Sequence, residues 1–183
     1  MKVYSIYILN KAGGLIYQND VNPGLNRLTA NDYLVLAGTL HGVHAIASRL
    51  TPALNGRDTT NPTESHSNKN AAILSTGKVQ DANSNKSGLQ SIETDLFNLY
   101  IFQTLTGIKF ILVTSPNPVV HNLQQINREL TNRGELSKQY DQANEVFKHL
   151  YIVYSDYVMK DPFYSLDMPI KSSLFDMKVK EII

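Results

Sequence analysis

The chain has 183 residues, of which 42% are apolar, and it contains no cysteine. This length fits one globular domain that buries roughly 70% of its unfolded surface, so neither disulfides nor metals are needed to hold it. The lack of cysteine excludes thiolate zinc sites, disulfide scaffolds and cysteine nucleophiles, and a net charge of +1 is too balanced to predict a nucleic-acid partner.

The N-terminal residues predict a β-hairpin. Val3–Leu9 is apolar at nearly every position and rich in β-branched and aromatic residues, which is typical of a strand covered on both faces. Its alternation and the lack of a small-residue cleavage site favour a strand over a signal peptide. Residues 10–14 (NKAGG) supply the turn, and residues 15–18 form the return strand. Because this turn leads into a strand and not a helix, a phosphate-binding loop is disfavoured.

A first helix is expected from a cap at Thr29 or Asn31 to Leu50. Few charges occur between Asp32 and Arg49, so we expect no broad solvated face, and the helix must be sandwiched or form an interface. The apolar positions at helical spacing are Tyr33, Leu36, Leu40, Val43 or His44, Ala47 and Leu50.

Residues 51–87 change character abruptly, because Asn, Ser, Thr, Lys and Gly dominate and aromatic residues are lacking. Such a composition cannot bury enough apolar area to offset about 1–2 kcal/mol per residue of backbone entropy. We therefore expect a flexible polar insertion within one domain. No stretch of the chain approaches the roughly 18 apolar residues of a membrane span.

Three strands and two helices are predicted after the insertion. Residues 88–94, 95–103 and 108–114 indicate an antiparallel meander. Residues 115–135 are polar and are predicted to be a variable loop that could hold one helical stretch before a break at Gly134, since Val120, Leu123, Ile126 and Leu130 recur at helical spacing. The remaining predictions are a sheet-covering helix from about 136 to 159, a stop at Asp161-Pro162, and a last helix capped by Ser172 or Ser173 that runs to Ile182.

Together these elements predict an α+β fold in the order β-β-α-β-β-β-α-α. A five-stranded antiparallel sheet carries helices on both faces, with the first helix on one face and the later helices on the other. We expect a single domain over residues 1–183, with the insertion at about 51–87 and the variable loop at about 115–135.

No residue pattern indicates catalysis or a cofactor. His41 and His44 lack a matching carboxylate or thiolate, so satisfied histidines on a helix face are favoured over a metal site. No serine lies in a nucleophile-elbow pattern. The remaining candidates for paired carboxylates fall at helix ends and a proline turn, where capping explains them: Asp156, Asp161, Asp167 and Asp176.

Four segments of the chain together resemble the synbindin family, and most closely its fungal members. The resemblance spans both ends of the chain and skips the insertion, which is where family members vary most. Its segments are residues 10–18 (NKAGGLIYQ), 33–47 (YLVLAGTLHGVHAIA), 100–110 (YIFQTLTGIKF) and 154–176 (YSDYVMKDPFYSLDMPIKSSLFD).

The resemblance implies the longin (SNARE-like) fold and a core subunit of the TRAPP vesicle-tethering complex. Such a subunit is non-catalytic on its own, needs no cofactor, and contributes to a composite guanine nucleotide exchange surface for a Rab GTPase in transport between the endoplasmic reticulum and Golgi. The implied partners are a second longin subunit, other small TRAPP subunits and the Rab GTPase, with no nucleic acid. The implied location is cytoplasmic, peripheral to endoplasmic reticulum and cis-Golgi membranes.

Two surfaces follow from the resemblance as expectations. The first helix is assigned to subunit contacts through Tyr33, Leu36, Leu40, His41, His44 and Ala47. The aromatic-rich C-terminal stretch, which periodicity does not explain, is assigned to the surface near the GTPase through Lys160, Asp161, Tyr164, Met168, Pro169 and Lys171.

Two alternatives stay open. In the first, Phe163, Tyr164, Leu166 and Met168 plug the open end of the sheet, and this is favoured for Phe163 and Leu166. In the second, the chain is a free-standing longin domain that binds a SNARE or coat peptide. A SNARE would need a heptad motif and a membrane anchor beyond Ile183, so this alternative is the weaker one.

Overall fold

The fold is an antiparallel sheet with helices against both faces, described in a computed structural model for residues 1–50, 84–85, 88–116 and 125–183. The strands are β1 (Val3–Leu9), β2 (Leu15–Asp20), β3 (Ser84–Asn85), β4 (Ser91–Glu93), β5 (Asn98–Thr104) and β6 (Lys109–Thr114). The helices are α1 (Ala30–Ala47), α2 (Gln125–Tyr154), which continues into a π-helical turn (Ser155–Met159), and α3 (Ser173–Ile182).

The sheet order is β2-β1-β6-β5-β3, and β4 also pairs with β5. All pairings are antiparallel, and β1 lies between β2 and β6, as its two-sided apolar sequence predicts. The predicted α+β class and all five predicted strands are confirmed. The two-residue strand β3 is an addition, and it lies within the predicted insertion at 51–87. The rest of that insertion lies outside the described residues.

Alternation along the strands creates two separate cores. On one face, side chains of the sheet pack against α2 and α3, with Phe110 in the centre. On the other face they pack against α1. Buried residues of the first core include Ile6, Ile8, Tyr100, Leu112, Phe147, Leu150, Phe175 and Val179. Those of the second include Tyr7, Leu9, Leu99, Ile101, Ile111, Val113, Tyr33, Ala37 and Leu40.

Helix α1 begins with a capping box. Thr29 is the N-cap, and its hydroxyl accepts a hydrogen bond from the Asp32 backbone N–H while the Asp32 carboxylate accepts one from the Thr29 N–H. Thr29, one of the two predicted caps, is therefore the cap. The helix ends at Ala47, three residues before the predicted end at Leu50.

Helix α2 shows that the predicted break at Gly134 is wrong, while the helical stretch that the sequence allowed before it is present from Gln125. Residues 117–124 lie outside the described part of the chain, but the helix runs unbroken from Gln125 through Gly134. One glycine costs a helix only about 1 kcal/mol relative to alanine, and Arg133 and Glu135 beside it are good helix formers. The α-helical part ends at Tyr154, and the predicted end at Met159 is the end of the π-helical turn.

The segment between the π-helical turn and α3, here called the C-terminal crossing (residues 160–172), covers the outer edge of β2. The backbone N–H of Ile170 donates to the carbonyl of Ile16 over 2.8 Å. Just beyond it, the Tyr17 hydroxyl donates to Asp176 over 2.9 Å, and the Tyr17 ring meets Phe175 edge-on at 4.9 Å. An edge strand presents unpaired backbone groups, so this contact satisfies part of that edge and fixes the position of α3.

The β1–β2 turn depends on Gly13. Its φ is +90°, and a Cβ added there would lie 2.5 Å from Cγ of His41 on α1. We predict that Gly13→Ala destabilises the isolated chain by about 2 kcal/mol, because left-handed backbone strain and a clash with the ring add together. Gly38→Ala is the control, since a Cβ there meets nothing within 4 Å, and it should stabilise α1 by about 0.5–1 kcal/mol. Equal effects in urea denaturation would contradict the assignment.

Candidate interaction surfaces

The candidate functional features are surfaces. Among the residues that the structure describes, no group of three or more His, Asp or Glu side chains is arranged to hold a metal ion. No helix within the described ranges combines the length and apolar character that crossing a bilayer requires. What the described chain does expose is apolar side chains on α1 and on the C-terminal crossing.

The six residues predicted to contact another subunit lie on the inner side of α1 and on its flanks. Tyr33, Leu40 and His44 are buried in this chain's own core, whereas Leu36, His41 and Ala47 are half-buried. The assignment of the first three to a partner surface is therefore corrected, because their side chains already pack on the sheet. The helical spacing of these residues was predicted correctly, but it identifies the side of α1 that packs on the sheet.

The opposite side, here called the outer face of α1, is apolar and uncovered. Leu34, Val35, Val43 and Ile46 are 58%, 59%, 44% and 64% exposed. Between them lie Gly38 and Gly42, where an added Cβ would meet nothing within 4 Å. Leucine, two glycines and isoleucine at 34, 38, 42 and 46 recur every four residues, which places them along one side of the helix. In the sequence this spacing alone did not identify the outer face, because apolar residues occur on the other sides of the helix as well.

His44 fixes α1 to the sheet. Its Nδ1 lies 3.2 Å from the carbonyl oxygen of Leu89, and its Nε2 contacts the side-chain amide oxygen of Gln103. Gly88 packs against the ring with φ +87°, and a Cβ there would come within 2.8 Å of Cε1. These contacts make His44 a satisfied internal histidine, which is the reading that the sequence favoured over a metal ligand.

His41 lies over Gly13 at the end of the sheet, and its Nδ1 is buried without a hydrogen-bond partner among the described residues. Burial, assisted by the nearby Lys109 and His44, holds the pKa of His41 below its ordinary value. Lys109 is 4% exposed and donates to the Gly107 carbonyl over 3.2 Å. Burial likewise lowers the pKa of Lys109. Burial beneath this end of α1 therefore acts against the charged form of both side chains.

The C-terminal crossing is ordered by its own polar contacts. Asp161 accepts a hydrogen bond from the Phe163 backbone N–H over 2.9 Å, and the Tyr164 hydroxyl donates to the Met168 carbonyl over 2.8 Å. Asp167 has a φ of +71°, a left-handed conformation that aspartate tolerates better than most residues. Lys160, at the start, pairs with Asp156 over 2.5 Å.

The crossing encloses a cavity of about 280 Å³. Five of the six residues predicted to lie near the GTPase line it, and Lys160 is next to it in the chain. The five are Asp161, Tyr164, Met168, Pro169 and Lys171. Tyr164 is half-buried and the other four are exposed. The structure thus brings these residues together at the surface, whereas those chosen on α1 are buried or half-buried against this chain's own sheet.

Phe163 and Leu166 do not plug the end of the sheet. Phe163 is 93% exposed and Leu166 is 65% exposed. The prediction that these two side chains fill the open end of the sheet is wrong. The crossing contacts the sheet through its backbone at Ile170 and through the half-buried Tyr164 instead. A fully exposed phenylalanine beside Met168, which is 57% exposed, marks an apolar patch on the surface.

A further cavity was missed from the sequence. It measures about 600 Å³ and lies beside the start of α1, where Leu28, Leu36 and Phe97 contribute to a mostly apolar lining. At its floor Asp20 accepts hydrogen bonds from the Ser5 and Tyr33 hydroxyls, each over 2.8 Å. Its residues come from four strands, one helix and two loops, so no single sequence motif indicates it.

Comparison with known proteins places the chain among trafficking proteins. A sequence profile described as the Sybindin-like family matches residues 3–132 and 135–183. The Dictyostelium discoideum protein named trafficking protein particle complex subunit 4 is 34% identical over 183 residues, which cover 100% of this chain and 97% of that protein. The Bos taurus protein of the same name is 30% identical over 90% of this chain, and the match spans only 51% of its length.

Among solved structures, Myxococcus xanthus MglB matches 80% of this chain and 84% of its own. The sequence identity is 14% and the TM-score is 0.31, which is too low to support any argument about fold or function.

The exposure of Phe163 leads to a stability prediction. Phe163→Ser should change the free energy of unfolding by no more than about 0.5 kcal/mol, because the ring contributes little to the core. Phe175→Ala, which removes a fully buried ring in the adjoining helix, should cost about 3–5 kcal/mol. Urea denaturation of both variants measures these changes. A loss of more than about 2 kcal/mol in the free energy of unfolding of Phe163→Ser would show that the Phe163 ring packs against the end of the sheet after all.

Proposed function

Because this chain belongs to the Sybindin-like family, we propose that it works as a subunit of a trafficking protein particle (TRAPP) complex. The D. discoideum relative named subunit 4 supports this, because the match runs through nearly the whole of both chains. The B. taurus protein supports it over the half of its length that the match spans.

More specifically, the subunit contributes to a composite guanine nucleotide exchange surface for a Rab GTPase and to vesicle tethering between endoplasmic reticulum and Golgi. It is peripheral to those membranes on their cytoplasmic side. Exchange by such a surface requires no nucleophile or metal. A surface that binds the nucleotide-free GTPase more tightly than the loaded form shifts the equilibrium by the difference in the two affinities. The chain is therefore non-catalytic when isolated.

The observation that carries this proposal is the outer face of α1. Each large aliphatic side chain that moves from water into an interface contributes roughly 1.5–3 kcal/mol, and Leu34, Val35 and Ile46 are all more than half exposed. Gly38 and Gly42 leave a shallow groove between them, which lets another backbone approach closely. We assign this face to a second longin subunit, with the other small subunits on adjoining surfaces.

The C-terminal crossing is the surface proposed to lie near the GTPase. Its residues are Lys160, Asp161, Tyr164, Met168, Pro169 and Lys171, and the structure adds Phe163. An exposed aromatic ring flanked by lysines suits a protein interface, since aromatic residues concentrate binding energy and charges steer association. Internal hydrogen bonds order the crossing before binding, which lowers the entropic cost of the contact.

A second candidate is a free-standing longin domain that binds a SNARE or coat peptide. The cavity of about 600 Å³ beside α1 favours it, because its mostly apolar lining suits an extended peptide. This alternative requires a monomer whose outer α1 face stays bare when the peptide is bound. A titration with a partner subunit therefore separates the two candidates.

Ile46→Glu should weaken association with a second longin subunit of the complex by at least about tenfold, since a charge would be buried in an apolar contact. Isothermal titration calorimetry measures the affinity. Ile152→Glu on α2 is the matched control, because Ile152 is 54% exposed on the other side of the sheet and should leave the affinity unchanged. Equal affinities for Ile46→Glu and the unaltered chain would favour the free-standing domain.

The double variant Lys160→Glu, Lys171→Glu should slow nucleotide release from the Rab GTPase by about tenfold in the assembled complex, because it reverses the charge that steers the encounter. Release of a fluorescent nucleotide is the readout. Lys148→Glu, Lys180→Glu carries the same charge change on exposed positions of α2 and α3 and should leave the rate unchanged. An unchanged rate in the first variant would reject the GTPase assignment.

A further inference from the structure

A third cavity, of about 300 Å³, lies beside the C-terminal crossing, between the β5–β6 turn and the π-helical turn. The proposed function makes no use of it. Its walls are mostly apolar, and the side chains that matter are Ile108, Tyr151, Tyr154, Met159 and Leu166. This volume is at the lower end of the range for ligand pockets, about 300–1,000 Å³, so it suits one large side chain.

Tyr154 is the unusual residue of this cavity. It is 3% exposed, yet its hydroxyl forms no hydrogen bond with any residue that the structure describes. The Tyr154 hydroxyl oxygen keeps some access to solvent. Among the described residues, the one fully enclosed side-chain polar atom without a hydrogen-bond partner is Nδ1 of His41. Three of the other four buried tyrosines donate a hydrogen bond within the described chain: Tyr17 to Asp176, Tyr33 to Asp20 and Tyr100 to Gln139.

The Tyr154 hydroxyl remains protonated at neutral pH and can donate. Burial raises the pKa of Tyr154 to about 12, and the nearby Tyr164, Asp167 and Tyr151 add to the rise. Because the hydroxyl oxygen keeps some access to solvent, a ligand that displaces water from it must replace the lost hydrogen bond. The base of this cavity therefore offers an unused polar group among apolar walls.

Charges of opposite sign line the same cavity. Lys11 comes from the β1–β2 turn and Asp167 from the crossing, and both are exposed. A polypeptide that places one side chain in the cavity brings its backbone carbonyl and N–H to the surface beside it. The lysine can donate to that carbonyl and the aspartate can accept from that N–H.

We propose that this cavity binds a tyrosine side chain of a partner polypeptide, with the phenol hydrogen-bonded to the Tyr154 hydroxyl. The ring fits the apolar walls, where the thioether of Met159 makes a favourable contact with an aromatic face or edge. The phenol supplies the partner that Tyr154 lacks, which phenylalanine cannot do. The assignment does not depend on the TRAPP proposal.

The test uses the full chain and a matched pair of probes, N-acetyl-tyrosinamide and N-acetyl-phenylalaninamide. Titration followed by the Met159 methyl resonance in NMR should give a saturable shift, with tyrosinamide bound about fivefold more tightly. Tyr154→Phe keeps the ring and the fold, and it should abolish the preference between the probes. Tyr157→Phe, in the cavity on the opposite side of the crossing, should leave the preference intact.

Three results would overturn the assignment. One is the absence of a saturable shift with either probe, and another is equal affinity for the two probes in the unaltered chain. The third is a preference that survives in Tyr154→Phe or disappears in Tyr157→Phe.

Discussion

The structure depends on a sheet whose central strands are apolar on both faces. Strands β1, β5 and β6 bury residues toward α2 and α3 on one side and toward α1 on the other, so each face must be covered. Within the described ranges two helices share the first face, and α1 is the one helix on the second. Because α1 is apolar nearly all round, covering the sheet leaves an apolar outer face exposed, and from this follows the expectation that another chain covers α1.

The C-terminal crossing covers part of the open edge of β2. Its backbone pairs with Ile16, and its own hydrogen bonds hold it in shape, so its side chains are left free to face outward. Phe163 is the extreme case, at 93% exposure. The backbone of this short segment thus has the structural role, and its exposed side chains remain available for the contact proposed above. Residues of the crossing line both the cavity of about 280 Å³ and the cavity of about 300 Å³.

The sequence predicted the strands, the two helical layers and the Thr29 cap, because these depend on local patterns of period two or 3.6 and on one capping residue. It did not predict which side of α1 faces out, because a helix with apolar residues at 34, 35, 36, 40, 43 and 46 has no polar side to mark the solvent. It placed a break at Gly134, where good helix formers outweigh one glycine. The exposure of Phe163 and Leu166 could not be predicted from the sequence. A segment ordered by proline has no regular periodicity, so the sequence does not show which side chains point toward solvent.

The central claim is that the outer face of α1 is covered in the working assembly. Hydroxyl-radical footprinting of the chain alone and within the purified complex tests it most directly, because labelling of each side chain reports its own access to solvent. The account predicts that Leu34, Val35 and Ile46 lose most of their labelling in the complex, while Ile152 on α2 retains more of its own. Unchanged labelling of those three residues in an intact complex would contradict it.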